Sequence, residues 1–200
     1  MDDTSLDLLE ERYNNDENYR LRTFDYSKYP DYYNIKINAG EYAWKPAIIK
    51  EVMDEIQTGV LLWCDSGNLV VDNMTKIRNE ILKRNIYSPI SDGDIKKWTH
   101  PLTLKYFSDK KFVNLKDKKF LSFKNRNGAI LGFNLNNINI KNFINDYASC
   151  ANTKECIAPE GSNRSNHRQD QAVFTVLYYK IMNSFDFVNH YISLSIHNDV

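Results

Sequence analysis

Val60-Leu61-Leu62-Trp63-Cys64-Asp65-Ser66-Gly67-Asn68 is the stretch that decides how the chain is read. Five apolar residues run without interruption and stop at a cluster of turn formers, the pattern of a short strand covered on both faces. Strands of that kind belong mostly to parallel sheets with helices on each side. Upstream, Ile48, Ile49, Val52, Met53 and Ile56 recur at helical spacing. Pro46 stands in the first turn of that helix, where its missing N–H does no harm. Gly59 ends the helix. Downstream, Met74, Ile77, Ile81 and Leu82 predict a second amphipathic helix. A helix, a buried strand and another helix in succession predict an α/β domain with a mainly parallel sheet flanked by helices.

Further out the signals are uneven. Tyr19 to Tyr26 alternates loosely and favours a strand, broken by Tyr29-Pro30-Asp31. Ile86-Tyr87-Ser88-Pro89 reads as another short strand. Asn127-Gly128 is a turn signal ahead of a strand over 129–134. A helix is expected from Ile138 to Cys150, then a loop to Asn166, then a last helix through Ala172, Val176 and Ile181. Residues 1–18, acidic and rich in asparagine, read as a frayed helix or a disordered lead-in. Residues 19–200 then form one domain.

Lysine plus arginine equals aspartate plus glutamate, 26 each among 200 residues, so no overall field draws a polyanion to the surface. Lysine clusters at 96–97, 110–111 and 116–119 alternate with aromatics, but without net charge they read as solvated helix faces, and nucleic acid is not an expected partner. The run Val60–Cys64 is far short of the roughly 20 apolar residues needed to cross a bilayer. The acidic N-terminus has no basic region followed by an apolar stretch, so a cytoplasmic location is expected. Cys64, Cys150 and Cys156 lack the paired spacing of a zinc site and read as reduced thiols. In an oxidising compartment Cys150 and Cys156 would be placed to bridge a short loop. Asn73-Met74-Thr75 and Asn163-Arg164-Ser165 fit the glycosylation sequon, in a chain where asparagine is abundant enough for chance matches.

Two stretches carry chemistry. Asp65 stands at the carboxyl end of the central strand, where ligands gather in open α/β sheets. An Asx turn that merely closes the strand is the competing explanation. Asn166-His167-Arg168-Gln169-Asp170-Gln171 lies at a loop-to-helix junction. Free N–H groups at a helix start, with His167 and Arg168, suit a diphosphate. Asn166 as helix cap and Asp170 as dipole partner account for only part of the cluster.

Tyr42-Ala43-Trp44-Lys45-Pro46 opening a helix, Leu61 through Gly67 at a strand end, and Ile157-Ala158-Pro159 leading into His167-Arg168-Gln169-Asp170-Gln171 together resemble a group of GT-A-fold glycosyltransferases. The resemblance spans residues 19–181. It implies a GT-A-like domain lacking the first βαβ unit, which moves a sugar from a nucleotide-sugar donor to a hydroxyl of a glycan, lipid or protein acceptor. Asp65 matches the first carboxylate of the strand-end Asp-x-Asp motif that holds a divalent metal, manganese or magnesium. The second position is Gly67 here, so Asn68 or Asp72 would have to contribute, or Lys45 and Arg168 would carry the charge without metal. The implied donor-binding set is Lys45, Asp65, Ser66, Gly67, His167, Arg168 and Gln171. Asp170 is the implied base or positioning group. Trp63 reads as core, and His100 either lines the acceptor side or is a lone surface histidine. Two other readings compete: an inactive remnant that keeps a sugar or nucleotide site, and a metal-dependent hydrolase built on Asp65, His167 and Asp170.

Overall fold

The computed structural model describes residues 3–13, 16–182 and 191–195. The remaining parts of the two expected units, residues 1–2, 14–15, 183–190 and 196–200, lie outside the described residues. In chain order the elements are α1 (Asp3–Tyr13), α2 (Trp44–Ile56), β1 (Val60–Cys64), β2 (Leu69–Val70), α3 (Met74–Arg84), β3 (Ile86–Tyr87), β4 (Ile90–Asp94), α4 (Ile95–Trp98), α5 (Pro101–Asp109) and α6 (Lys118–Leu121). They continue with β5 (Lys124–Arg126), β6 (Ile130–Asn134), α7 (Ile138–Ala151), α8 (Lys154–Ile157), α9 (Gln169–Met182) and β7 (Leu194–Ser195).

Among the described residues the mainly parallel, GT-A-like sheet expected from the sequence is not present. Every pairing among the described residues is antiparallel, in one sheet of three strands ordered β1-β6-β3 and two of two strands, β2-β7 and β4-β5. The reason is that cover on two faces says nothing about strand direction. In β1 and β6, alternate side chains point to opposite faces. Leu61, Trp63, Leu131 and Phe133 enter the main core, while Val60, Leu62 and Ile130 meet Ile77 and Ile81 of α3. Helices cover both faces of this small antiparallel sheet, so its strands imitate the apolar run of a parallel one. Gly132, opposite Leu62 and Tyr87 in the register, makes this possible. A Cβ there would come within 2.5 Å of Ile81 Cδ1, so glycine lets α3 close on the sheet.

The main core lies on the other face, where α7 packs against both α2 and α9. Phe133, Phe143, Tyr147 and Phe174 meet edge to face or tilted, with ring centroids 5.3–6.2 Å apart, geometries that favour aromatic pairs beyond the area they bury. A disulfide, Cys150–Cys156, joins the end of α7 to α8 across six residues. The strand expected over Tyr19 to Tyr26 does not form. Its alternating aromatics serve a stack instead: Phe24 lies on Tyr29, and Tyr29 on Tyr33, each pair at 4.8 Å. Residues 3–13 are helical, one of the two expectations for the lead-in.

Two junctions depart from what local sequence suggests. Asn166 does not cap the last helix. Its side chain instead closes the preceding loop, accepting from Asn163 N–H and donating to Gly161 O, and α9 begins three residues later at Gln169 with φ +34°. Ahead of α2, Asn38 through Tyr42 all hold positive φ, from 48° to 62°. For residues with a side chain this left-handed backbone costs about 1–2 kcal/mol each. It is held by tertiary contacts. Gly40 sits so close to Tyr33 that a Cβ would lie 2.3 Å from the Tyr33 carbonyl oxygen, and Trp44 Nε1–H donates to Ala39 O at 3.0 Å.

Candidate functional site

The left-handed turn delivers Lys45 to the first turn of α2, facing inward and 4% exposed. A buried ammonium must be paired to remain charged. Lys45 Nζ donates to Gly128 O at 2.9 Å and lies 3.2 Å from Asp65 Oδ1 and 3.1 Å from Asp170 Oδ2. The two chemistry-bearing stretches of the sequence therefore meet on one lysine. Trp63 and Trp44 flank it, with ring centroids 5.6 and 6.0 Å from the ammonium, close enough for a cation–π contribution.

The two carboxylates live in different surroundings. Asp65 is about one third exposed at the end of β1, and its Oδ1 also accepts from Trp63 Nε1–H at 2.7 Å. Its backbone N–H donates to Ala129 O at 2.9 Å, and Asn68 returns to the same place: its Nδ2 donates to Asp65 O at 3.0 Å and to Ala129 O at 2.9 Å. The turn thus fixes the carboxylate at the surface while Ser66 stays exposed. Asp170 is 5% exposed at the start of α9. Burial pushes its carboxyl above the usual range, Lys45 pulls it back down, and Asp65 pushes it up again. Burial would pull the Lys45 ammonium down, yet the fields of Asp170 and Asp65 outweigh this and raise it, so it stays protonated across the neutral range. Trp63, expected in the core, packs partly buried and also orients Asp65.

Sequence reasoning misses Tyr147. Its hydroxyl is fully buried, has no hydrogen-bond partner among the described residues, and is pushed far up by burial and by the charges of Asp170 and Asp65. The only sequence signal is helical periodicity, which marks Tyr147 as core and nothing more.

The rest of the expected donor-binding set divides. Ser66 and Gly67 form the turn after Asp65. Gln171 points to the backbone, its Nε2–H donating to Arg126 O at 2.6 Å. His167 is wholly buried: His100 N–H donates to its Nδ1 at 3.2 Å and its Nε2 lies 2.9 Å from Ile157 O. With Nδ1 accepting, the proton belongs on Nε2, and the ring is neutral. Burial lowers its pKa to about 4, with the nearby His100 adding to the drop. His167 is thus a cross-link between loops and presents no positive charge to a phosphate. His100 caps α5 through its Nδ1, accepting from Leu102 N–H at 3.3 Å. Arg168 is exposed, with its guanidinium 4.1 Å above the Trp98 ring.

The donor set does not suit the divalent metal that the Asp-x-Asp resemblance implies. Asp65 Oδ1 is taken by Trp63 and Lys45, Asp170 turns its Oδ2 to the same lysine, and Asp72 pairs with Lys76. Asn68 anchors its amide N–H groups on backbone carbonyls and leaves its Oδ1, the atom that would ligate, buried without a hydrogen-bond partner among the described residues, a single neutral oxygen. Among the described residues no three His, Cys, Asp or Glu side chains gather as a cation site, and hard cations need several oxygens.

Comparison with known protein families, with curated proteins and with solved structures finds no match to the chain.

Proposed function

We propose that the protein transfers a sugar from a nucleotide-sugar donor to an acceptor hydroxyl, with Asp65 as the group that faces the reacting atoms. The observation that carries this reading is the Lys45 bridge: one cation joins a partly exposed carboxylate, Asp65, to a buried one, Asp170. Paired carboxylates in unlike surroundings are suited to unlike tasks. Asp65 is open to a ligand on its outer side, whereas Asp170 positions Lys45 and has no path to an acceptor as it stands. In the step itself, the acceptor O–H proton passes to Asp65 as the oxygen attacks the anomeric carbon. The bond from that carbon to the diphosphate breaks, and its electrons leave with the nucleotide diphosphate. Of the expected cations, exposed Arg168 remains accessible to that diphosphate.

The test is release of nucleotide diphosphate from a panel of uridine and guanosine diphosphate sugars, with and without manganese. Turnover of at least one donor is expected, and Asp65→Asn lowers it about 100-fold or more, the usual worth of a general base. If no donor is turned over, or the variant matches the wild type, transfer at Asp65 is refuted.

A second reading, a sugar- or nucleotide-binding module without transfer, draws support from a specific feature: His167 and Lys45, two of the three expected phosphate partners, are sequestered. Thermal stabilisation by a donor without any turnover is its signature.

Among the described residues no helix is long and apolar enough to cross a membrane. The Cys150–Cys156 bridge supports residence in an oxidising compartment rather than the cytoplasm, since structural disulfides persist mainly there.

A further inference from the structure

A cavity of about 320 Å³ opens between the left-handed turn, which contributes Asn38, Ala39 and Glu41, and the segment leading into α9, which contributes Ser162, Asn163, Arg164 and Gln169. Its volume falls at the low end of small-ligand pockets, roughly 300–1,000 Å³. A second hollow of about 490 Å³ adjoins it, sharing Glu41 and Ser162 and reaching Lys154 and Glu160. Glu41 and Gln169 line this cavity and precede Lys45 and Asp170 of the lysine bridge by four residues and one residue in the chain.

We infer that this cavity binds one neutral pyranose unit of the acceptor, a role that rests on the transfer proposed above. Of the lining residues only Ala39 has an apolar side chain, and the carbon stems of the others share the wall about evenly with their polar atoms, a mixture that suits the apolar faces and hydroxyl rim of a sugar ring. The polar groups alternate in kind: amides that donate and accept, a carboxylate that accepts and a guanidinium that donates. That mixture matches the vicinal hydroxyls of a sugar, each of which does both. Glu41 and Arg164 offset one another in charge, which suits a neutral ring better than a phosphate. Glu41 is held ready, since Asn38 Nδ2 donates to its Oε1 at 3.1 Å and Gln169 Nε2 approaches its Oε2 at 3.4 Å, the latter a long contact that a ligand hydroxyl would displace. Gln169 is 5% exposed, so its amide orientation is set by packing. Arg164, which lines the cavity, lies 5.6 Å above the Tyr42 ring, a contact that favours this placement of the guanidinium.

Strain points the same way. Asn38, Ala39, Glu41 and Gln169, four of the residues that line the cavity, all hold positive φ. Backbone strain persists where the surroundings over-determine it, and it clusters at ligand clamps.

Saturation-transfer NMR with the methyl glycosides of glucose, galactose, mannose and N-acetylglucosamine provides the test, run beside donor hydrolysis. At least one glycoside is expected to bind the wild type. Glu41→Gln and Arg164→Ala each weaken that binding roughly tenfold or more, the effect of losing one hydrogen bond to a charged group. Arg164 is exposed, so its variant folds, and unchanged melting curves confirm this for both. Binding of no glycoside, or binding untouched by both cavity variants, overturns the cavity assignment even when donor is hydrolysed. A glycoside bound in the cavity with no donor hydrolysed overturns the transfer reaction and the acceptor role with it.

Discussion

The turn after β1 and the start of α9 are both crowded with functional side chains, yet they play different parts. Asp65-Ser66-Gly67-Asn68 keeps its carboxylate at the surface, braced from behind by Trp63, Asn68 and Lys45. His167 to Gln171 turns mostly inward: His167 ties two loops, Asp170 holds Lys45, and Gln171 bonds the backbone of β5. A dense run of polar residue types is therefore a poor guide to which side chains reach the surface. In this chain the dense run packs inward, and the sparser turn is the one that leaves a carboxylate at the surface.

The largest expected effect comes from cutting the tie between the two regions. Lys45→Met leaves Asp170 buried without its cation, and removing one partner of a buried ion pair costs about 3–5 kcal/mol. Urea unfolding measures it, and a loss under about 1 kcal/mol would show that the regions are held together by something else.

Acid separates the regions next. His167 is neutral when folded, with a pKa of about 4 against an ordinary value of 6.5. Between those values the unfolded chain binds the additional proton. The stability contribution is therefore whole above pH 6.5 and is lost as pH falls to 4, about 3 kcal/mol at most. His167→Gln should flatten that part of the stability–pH curve, and an unchanged slope would mean that other groups produce it.

Reducing Cys150–Cys156 loosens the α7–α8 corner that supports His167 through Ile157. For a loop this short the chain-entropy model gives about 2 kcal/mol, read as a lower melting temperature in dithiothreitol. No shift would remove the bridge from the account of the inward region.

The smallest change in stability belongs to the outward region. Asp65→Asn sits at a partly exposed end of the lysine bridge and should alter unfolding by about 1 kcal/mol or less, even as turnover collapses. A loss as large as that for Lys45→Met would make Asp65 another structural partner and erase the contrast.

Part of this architecture is legible in the residues themselves. The spacing of Ile48, Ile49, Val52, Met53 and Ile56, and of Ile140, Phe143, Ile144 and Tyr147, predicts α2 and α7, because a helix face is written into three- and four-residue steps. The strand of 130–134 follows from its turn signal. Asp65 and Asp170 stand out together by motif order. Their meeting place is not readable, since Lys45 reaches Gly128 across 83 residues and no local pattern reports such a contact. Tyr147 and the left-handed turn at 38–42 are silent for the same reason: the first looks like any core aromatic, and the second is held by Tyr33 and Trp44 rather than by its own residues.

By itself the sequence determined where apolar faces lie, where the principal helices run, and that no net field exists to gather polyanions. These depend on neighbours a few positions apart or on simple sums. Tertiary structure alone decided the direction of the strands, the neutrality of His167, and which of two carboxylates is buried. Each of those is settled by groups distant in the chain, because pairing partners and desolvation exist only once the core has closed.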